Sequence, residues 1–256
     1  MKDERPPMKS EEITTRTLWD LQYTLSESLW KDCRYPWEAL PQIHRFLLAL
    51  GPTLSPDVYQ QVGEQIWIAR SARIAPSAVI LGPCIIGPDT EIRPCAFLRA
   101  DVLIGRAAVI GNSTELKNAI LFDRVEVPHY NYIGDSVLGY RAHFGAGALT
   151  SNVRGDRQNI TVHCRPEIPT GLRKFGALVG DQAEIGCHAV LNPGSIIGRN
   201  AQVYPLTSVR GCLPADCICK QDGSRIRRLP PNFHPFNKGE GRSCVESSAI
   251  PENRKR

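Results

Sequence analysis

From Ile68 onward an aliphatic residue returns at every sixth position, through Ile74, Ile80, Ile86, Ile92, Leu98, Ile104, Ile110 and Leu116. A step of five leads to Leu121, steps of six to Val127 and Ile133, a second five to Leu138, and six to Phe144. After a break the count resumes through Val179, Ile185, Leu191, Ile197, Val203 and Val209. Helices repeat about every 3.6 residues and strands every two, and neither period tolerates so many steps of six. A coil of short strands does: each unit supplies one strand and one corner, and three units close a turn of about eighteen residues with the aliphatic side chains stacked inside. Small residues follow the aliphatic position in IIGPDT, LIGRAA and VIGNST, where the chain must turn a tight corner. The expected fold is mainly β, a parallel β-helix over residues 61–219 with an inserted loop near 153–174.

The flanks read differently. Residues 1–13 are expected to be disordered, and residues 14–60 to form a helical hairpin. Leu18, Leu21, Leu25 and Leu29 share one helical face, and PQIHRFLLALG is opened by Pro41 and stopped by Gly51. The apolar face of such a hairpin must bury against the end of the coil or a neighbouring chain. Residues 220–256, rich in Pro, Ser and charge, read as a disordered basic tail that carries much of the formal charge of +5. They lack the interleaved aromatics of a nucleic-acid-binding surface, so no nucleic-acid partner is expected. The insertion carries RGDRQN, HCRPE and TGLRK, and a polar segment that long inside a regular coil is where function concentrates. No run of eighteen apolar residues occurs and MKDERPPMKS lacks the apolar middle of a signal peptide, which points to the cytoplasm and to no membrane partner. Nine cysteines without a CxxC pair suit reduced thiols, and Cys212, Cys217 and Cys219 have no histidine at ligand spacing, so no metal is expected.

Four stretches, ELKNAIL, VPHYNYIGDSVLG, FGAGALTSN and KFGALVGD, resemble in order and spacing the acetyltransferase half of bifunctional sugar-1-phosphate nucleotidyltransferase/amino-sugar acetyltransferases. These are hexapeptide-repeat acyltransferases built on a left-handed parallel β-helix, and the likeness covers residues 66–211. The resemblance implies a homotrimer with each site between two coils, acetyl-CoA as acyl donor along the groove, and an amino-sugar phosphate such as glucosamine 1-phosphate as acceptor, in biosynthesis of the UDP-N-acetylglucosamine type. No segment resembles the glycine-rich nucleotidyltransferase signature, so that activity is not expected even under a uridyltransferase or pyrophosphorylase family name. By motif, the resemblance makes His129 the general base and places Tyr132 and Asn152 on the sugar. It places Arg99 of FLRAD and Lys117 of ELKNA on the phosphate, and the Ala146 N–H near the reacting carbonyl. Lys174, Ala177, Cys187 and Pro205 fall along the acyl donor, with Cys187 and Pro205 standing where small residues are common. His143 of AHFGAG replaces the family's asparagine, as a second imidazole able to contact the sugar or orient His129.

The chemistry is consistent with those residue types. An amino sugar attacks a thioester only as the neutral amine, and histidine is the side chain suited to take its proton. A fixed backbone N–H can stabilise the resulting oxyanion by about 2.7–4 kcal/mol. Arg99 and Lys117 lie one turn apart, and two stacked cations repel unless an anion sits between them, which argues separately for a phosphate or carboxylate site. Blander readings stand beside these: a lone histidine is usually a bonded surface residue, one of Tyr130 and Tyr132 can be packing, and the GAG of 145–147 can be a corner. His163, His188 and His234 read as structural or solvated. Two alternatives stay open, a non-catalytic coil binding a sugar nucleotide or a partner protein, and a zinc carbonic-anhydrase-like enzyme. The fourteen residues between His129 and His143 and the absence of HxxxxH speak against the second.

Overall fold

The computed structural model describes residues 8–228. The expected disorder of 1–7 and 229–256 lies outside the described residues. Residues 66–219 wind into a coil of three parallel faces. Ile66–Ala69, Cys84–Ile86 and Val102–Ile104 begin the first face, Arg73–Ile74, Glu91–Ile92 and Val109–Asn112 the second, and Val79–Leu81 and Phe97–Arg99 the third. The aliphatic count is in register between rungs, with Ile86 opposite Ile104, Ile74 opposite Ile92 and Ile80 opposite Leu98. Antiparallel strands close both ends, Tyr59–Gly63 on Ile66–Ala69 and Arg225–Arg227 on Cys217–Cys219. Each covers the edge that one face of the coil would otherwise present at that end. Residues 220–228 therefore belong to the fold and not to a disordered tail.

The corners correct one expectation. Left-handed backbone recurs at Asp89, Ala107, Arg124, Arg141, Gln182 and Asn200 between the first and second faces, and at Cys95, Ser113, Tyr130, Gly147, His188 and Leu206 between the second and third. The glycines of IIGPDT and LIGRAA serve a different need. A Cβ on Gly87 would fall 2.5 Å from the carbonyl oxygen of Gly105, so these glycines allow successive rungs to close on each other. At the corner between the third and first faces, the two steps of five leave no break in the strand. Glu115–Leu121 and Tyr132–Leu138 run through the bend, with Asn118 (φ 46) and Asp135 (φ 47) in the left-handed region that Asn and Asp tolerate best.

The N-terminal segment is a strap, not a helical hairpin. Thr15–Leu18 makes a single turn, 3-10 turns follow, and Ile43–Leu50 forms the longer helix. Leu25, expected on the apolar face, is exposed. The strap lies along the flank of the coil, neither at its end nor awaiting a second chain, and runs back from the last rungs to the first. The N–H of Asp181 donates to Leu18 O (3.0 Å), Asp123 N–H donates to Tyr23 O (3.0 Å), and His44 meets Asp101 at 2.7 Å. Aromatic rings anchor it where a leucine stripe was expected: the Trp19 indole donates to Val179 O (2.8 Å), and Tyr23 stacks on Tyr140 at 3.8 Å. Residues 8–13 are ordered too, since Met8 and Ile13 are buried and Lys9 pairs with Arg165 of the inserted loop.

Candidate functional site

The third face carries the site, bounded by two corners. On the corner shared with the second face, His129 ends the strand Glu126–His129 and is exposed. Its rung is tied to the GAG rung by main-chain and buried side-chain bonds. Gly147 N–H donates to His129 O (3.0 Å), and the buried Asn131 amide donates to Gly145 O and Ala148 O, each at 2.9 Å. Among the described residues nothing hydrogen-bonds the His129 imidazole, and nothing accepts from the Ala146 N–H. The ladder continues with His188 N–H to Ala146 O (2.8 Å) and Leu206 N–H to Cys187 O (2.9 Å). His129, Ala146, Cys187 and Pro205 thus stand on successive rungs of one edge. Gly147 turns that corner at φ +70, beside the Ala146 N–H that has no acceptor among the described residues.

Across the face, the Tyr132 ring lies over Gly134, where any Cβ would strike the phenol oxygen. The Tyr132 hydroxyl accepts from the Asn152 amide at 3.2 Å. Burial, followed by the charges of Asp135 and Glu115, pushes its pKa up, which keeps the phenol protonated with a hydrogen to donate. The hub of the far corner is Asp135, which sequence reasoning missed. Buried itself, it accepts from Lys117 Nζ (3.2 and 3.3 Å), from Asn118 (2.9 Å) and from the Asn152 amide. The signal that could have found it was in the count, because the two five-residue steps mark the bend that carries Asn118 and Asp135.

Three sequence expectations change here. Arg99 and Lys117 do stack by register, but each has its own carboxylate: Arg99 Nη1 donates to Glu115 at 2.7 Å, and Lys117 pairs with Asp135. Their spacing therefore does not require an external anion. His143 neither orients His129 nor faces the sugar side of the coil. It lies opposite Glu126 on the second face, three residues from His129's position along the neighbouring strand, and its Nδ1 is 2.9 Å from Glu184 Oε2. The Glu184 hydrogen bond raises its pKa against an opposing contribution from burial. Ala177 is fully buried on the first face and donates to Ser136 Oγ, so it has no surface to offer an acyl donor. Lys174 is exposed on the loop, and the next residue, Phe175, donates its N–H to Asn152 O (3.0 Å). His163 is bonded, as expected, between Glu167 and Arg210. Among the described residues no group of three His, Cys, Asp or Glu is placed to hold a metal ion, and no helix is long and apolar enough to cross a membrane.

The family described as the GMPPB C-terminal domain matches residues 80–165. A protein named bifunctional protein GlmU from Methanococcus vannielii is 31% identical over 174 residues, 67% of this chain and 42% of that protein. The chain thus spans about two-fifths of the length of that bifunctional relative. YaiX of Escherichia coli K12, named as an acetyltransferase, is 35% identical over 159 residues, 61% of this chain and 69% of that protein. Among solved structures, the acetyltransferase domain of PglB from Neisseria gonorrhoeae in complex with acetyl coenzyme A is 14% identical, covering 72% of this chain and 64% of that one at a TM-score of 0.31. Three parallel faces in a six-residue register, with an open histidine on one edge, define a hexapeptide-repeat β-helix. The chain belongs to the hexapeptide-repeat acyltransferases.

Proposed function

We propose that the chain is an acetyl-CoA-dependent N-acetyltransferase of an amino-sugar phosphate, glucosamine 1-phosphate being the leading acceptor, and that it works as a cytoplasmic homotrimer. One observation carries this reading: an imidazole with no partner among the described residues stands one rung from an unclaimed backbone N–H, on an edge that opens onto a polar face. His129 takes the proton of the acceptor amine, whose lone pair then attacks the thioester carbonyl. The Ala146 N–H receives the oxyanion, and collapse of the intermediate expels the CoA thiolate. The Tyr132 hydroxyl and Asn152 amide offer a donor pair to sugar hydroxyls. Asp135 holds Lys117 and Asn152 in place before substrate arrives. A phosphate at Arg99 shares that guanidinium with Glu115.

Trimer assembly is supported by where apolar surface remains. Tyr130 (66% exposed) and Leu206 (63%) lie on the His129 edge and Val79 (52%) on the third face, away from the strap, which is where a second coil completes the groove. The test is CoA release from acetyl-CoA with glucosamine 1-phosphate and a panel of amino sugars, run beside light scattering. His129→Ala should lower kcat by roughly 10²- to 10⁴-fold. Undiminished turnover in that variant removes His129 as the base. A monomer at micromolar concentration counts against a shared site.

A further inference from the structure

The inserted loop takes no part in the acetyl-transfer edge. It folds back over the third face as a short antiparallel ladder, Thr161–Val162 on Ile168–Pro169, pinned by the buried Ile160 and Phe175. Beneath it lies a cleft of 350 Å³ whose walls include Ser151, Arg154, Thr161, His163, Asn192 and Arg210. Ser151 adjoins Asn152, so the cleft continues the acceptor face along the coil. Leu149–Thr150 pairs with Val190–Leu191, which pairs with Ser208–Val209. At about 4.8 Å per rung, Arg210 stands roughly 10 Å beyond Ser151 along the axis.

Four cations along this corner, Arg99, Lys117, Arg154 and Arg210, are not alike. Arg99 is held by Glu115, Lys117 by Asp135, and Arg154 by a two-pronged contact with Asp156 at 2.9 and 2.6 Å. Arg210 has no carboxylate partner among the described residues. Its Nη2 is 3.1 Å from His163 Nε2, while His163 Nδ1 is 2.6 Å from Glu167 Oε1. A guanidinium has only donors, so Nε2 must be the acceptor and the Nδ1 proton faces Glu167. That relay orients the Arg210 fork while placing a neutral ring, and not a negative charge, against it. The remaining N–H groups of the fork are matched to two oxygens of a phosphate.

We propose that this cleft is an oxyanion subsite in which Arg210 grips a phosphate group on a distal arm of the ligand lying on the third face. Measured from the His129 edge, the span is on the order of 15 Å, the reach of a nucleotide-linked amino sugar and longer than a simple sugar phosphate. Assigning the arm to the acceptor rests on the acetyl-transfer reading, whereas the oxyanion site itself does not. The test is titration calorimetry of the full chain with pyrophosphate, uridine diphosphate and adenosine 3′,5′-bisphosphate, for wild type, Arg210→Gln, Arg210→Lys and, as a control on the second face, Arg73→Gln. Arg210→Gln should weaken pyrophosphate and uridine diphosphate at least tenfold, Arg210→Lys less, and Arg73→Gln hardly at all. Loss confined to the adenosine bisphosphate supports the subsite but gives it to the acyl donor. Equal binding by wild type and Arg210→Gln, or no binding of any probe by wild type, overturns it. CoA release with an unphosphorylated amino sugar should be unchanged in Arg210→Gln. Failure of CoA release in wild type would sink the acetyl-transfer reading while leaving phosphate binding intact.

Discussion

The first and third faces of the coil grow from the same repeat and differ only in what points outward. On the first face the middle residue of each strand is apolar, as in Ile85, Leu103, Ile120, Val137, Leu178 and Ile196, and all six are buried beneath the strap or packed against it. On the third face the outward positions hold Arg99, Glu115, Lys117, Tyr132, Ser151, Asn192 and Arg210, and the strap leaves this surface uncovered, the inserted loop meeting only its later rungs. Alternation sends every second side chain away from the interior. The repeat therefore determines the inside of the coil, and the outward residues decide which face is sealed and which can meet a ligand.

The largest effect expected on this contrast is from Trp19→Ala. It empties a buried indole site and removes a hydrogen bond to Val179 O, which should cost about 3–5 kcal/mol in urea unfolding while activity per folded molecule persists. A cost below about 0.5 kcal/mol would mean that the strap does not seal the first face. His129→Ala should show the reverse, with lost turnover at an unchanged unfolding midpoint. A smaller effect is expected from Asp135→Asn, which turns an amide toward three donors and loosens Lys117 and Asn152. KM for the acceptor should rise about tenfold with kcat little altered, and an unchanged KM would show that the clamp does not prepare the third face.

The smallest effect belongs to the second face. Glu184 raises the folded-state pKa of His143, so the pair adds stability that is full below the unfolded pKa of about 6.5 and is lost as pH rises through the higher folded value. The pair is partly exposed, so its contribution should be less than about 1 kcal/mol. Urea titrations of wild type and His143→Gln should differ most at the acid end of pH 5.5–9 and converge at the alkaline end. A gap that widens with pH would reverse the sign assigned to the pair.

Part of the first-face pattern was available in the sequence, since runs such as VLI and AIL are what strands buried on both sides look like. Its covering was not. Leu18, Leu21, Leu25 and Leu29 have helical spacing, but short helices are marginal without tertiary contacts, and the contacts available here favour Trp19, Trp30 and Trp37 laid on the coil. The placement of the candidate residues was legible to the extent that local motif carried it: His129, Tyr132, Asn152 and Ala146, singled out from VPHYNY and FGAGALTSN, fall on or beside one face. Pairings across rungs were hidden. Lys117 and Asp135 meet because of a five-residue bend, while His143 and Glu184 meet across the inserted loop.

What the sequence alone determined is the period, and with it the parallel coil, the stacked aliphatic interior and the chemical types along each edge, because a six-residue repeat has one economical way to bury its aliphatic positions. What the tertiary structure decided is which charges are already spent and which are available. Arg99, Lys117 and Arg210 look alike in sequence. Only the register between rungs and the fold of the inserted loop give the first two a carboxylate and leave the third against a neutral imidazole, since a charge responds to what lies within a few ångströms in space and not to its neighbours along the chain.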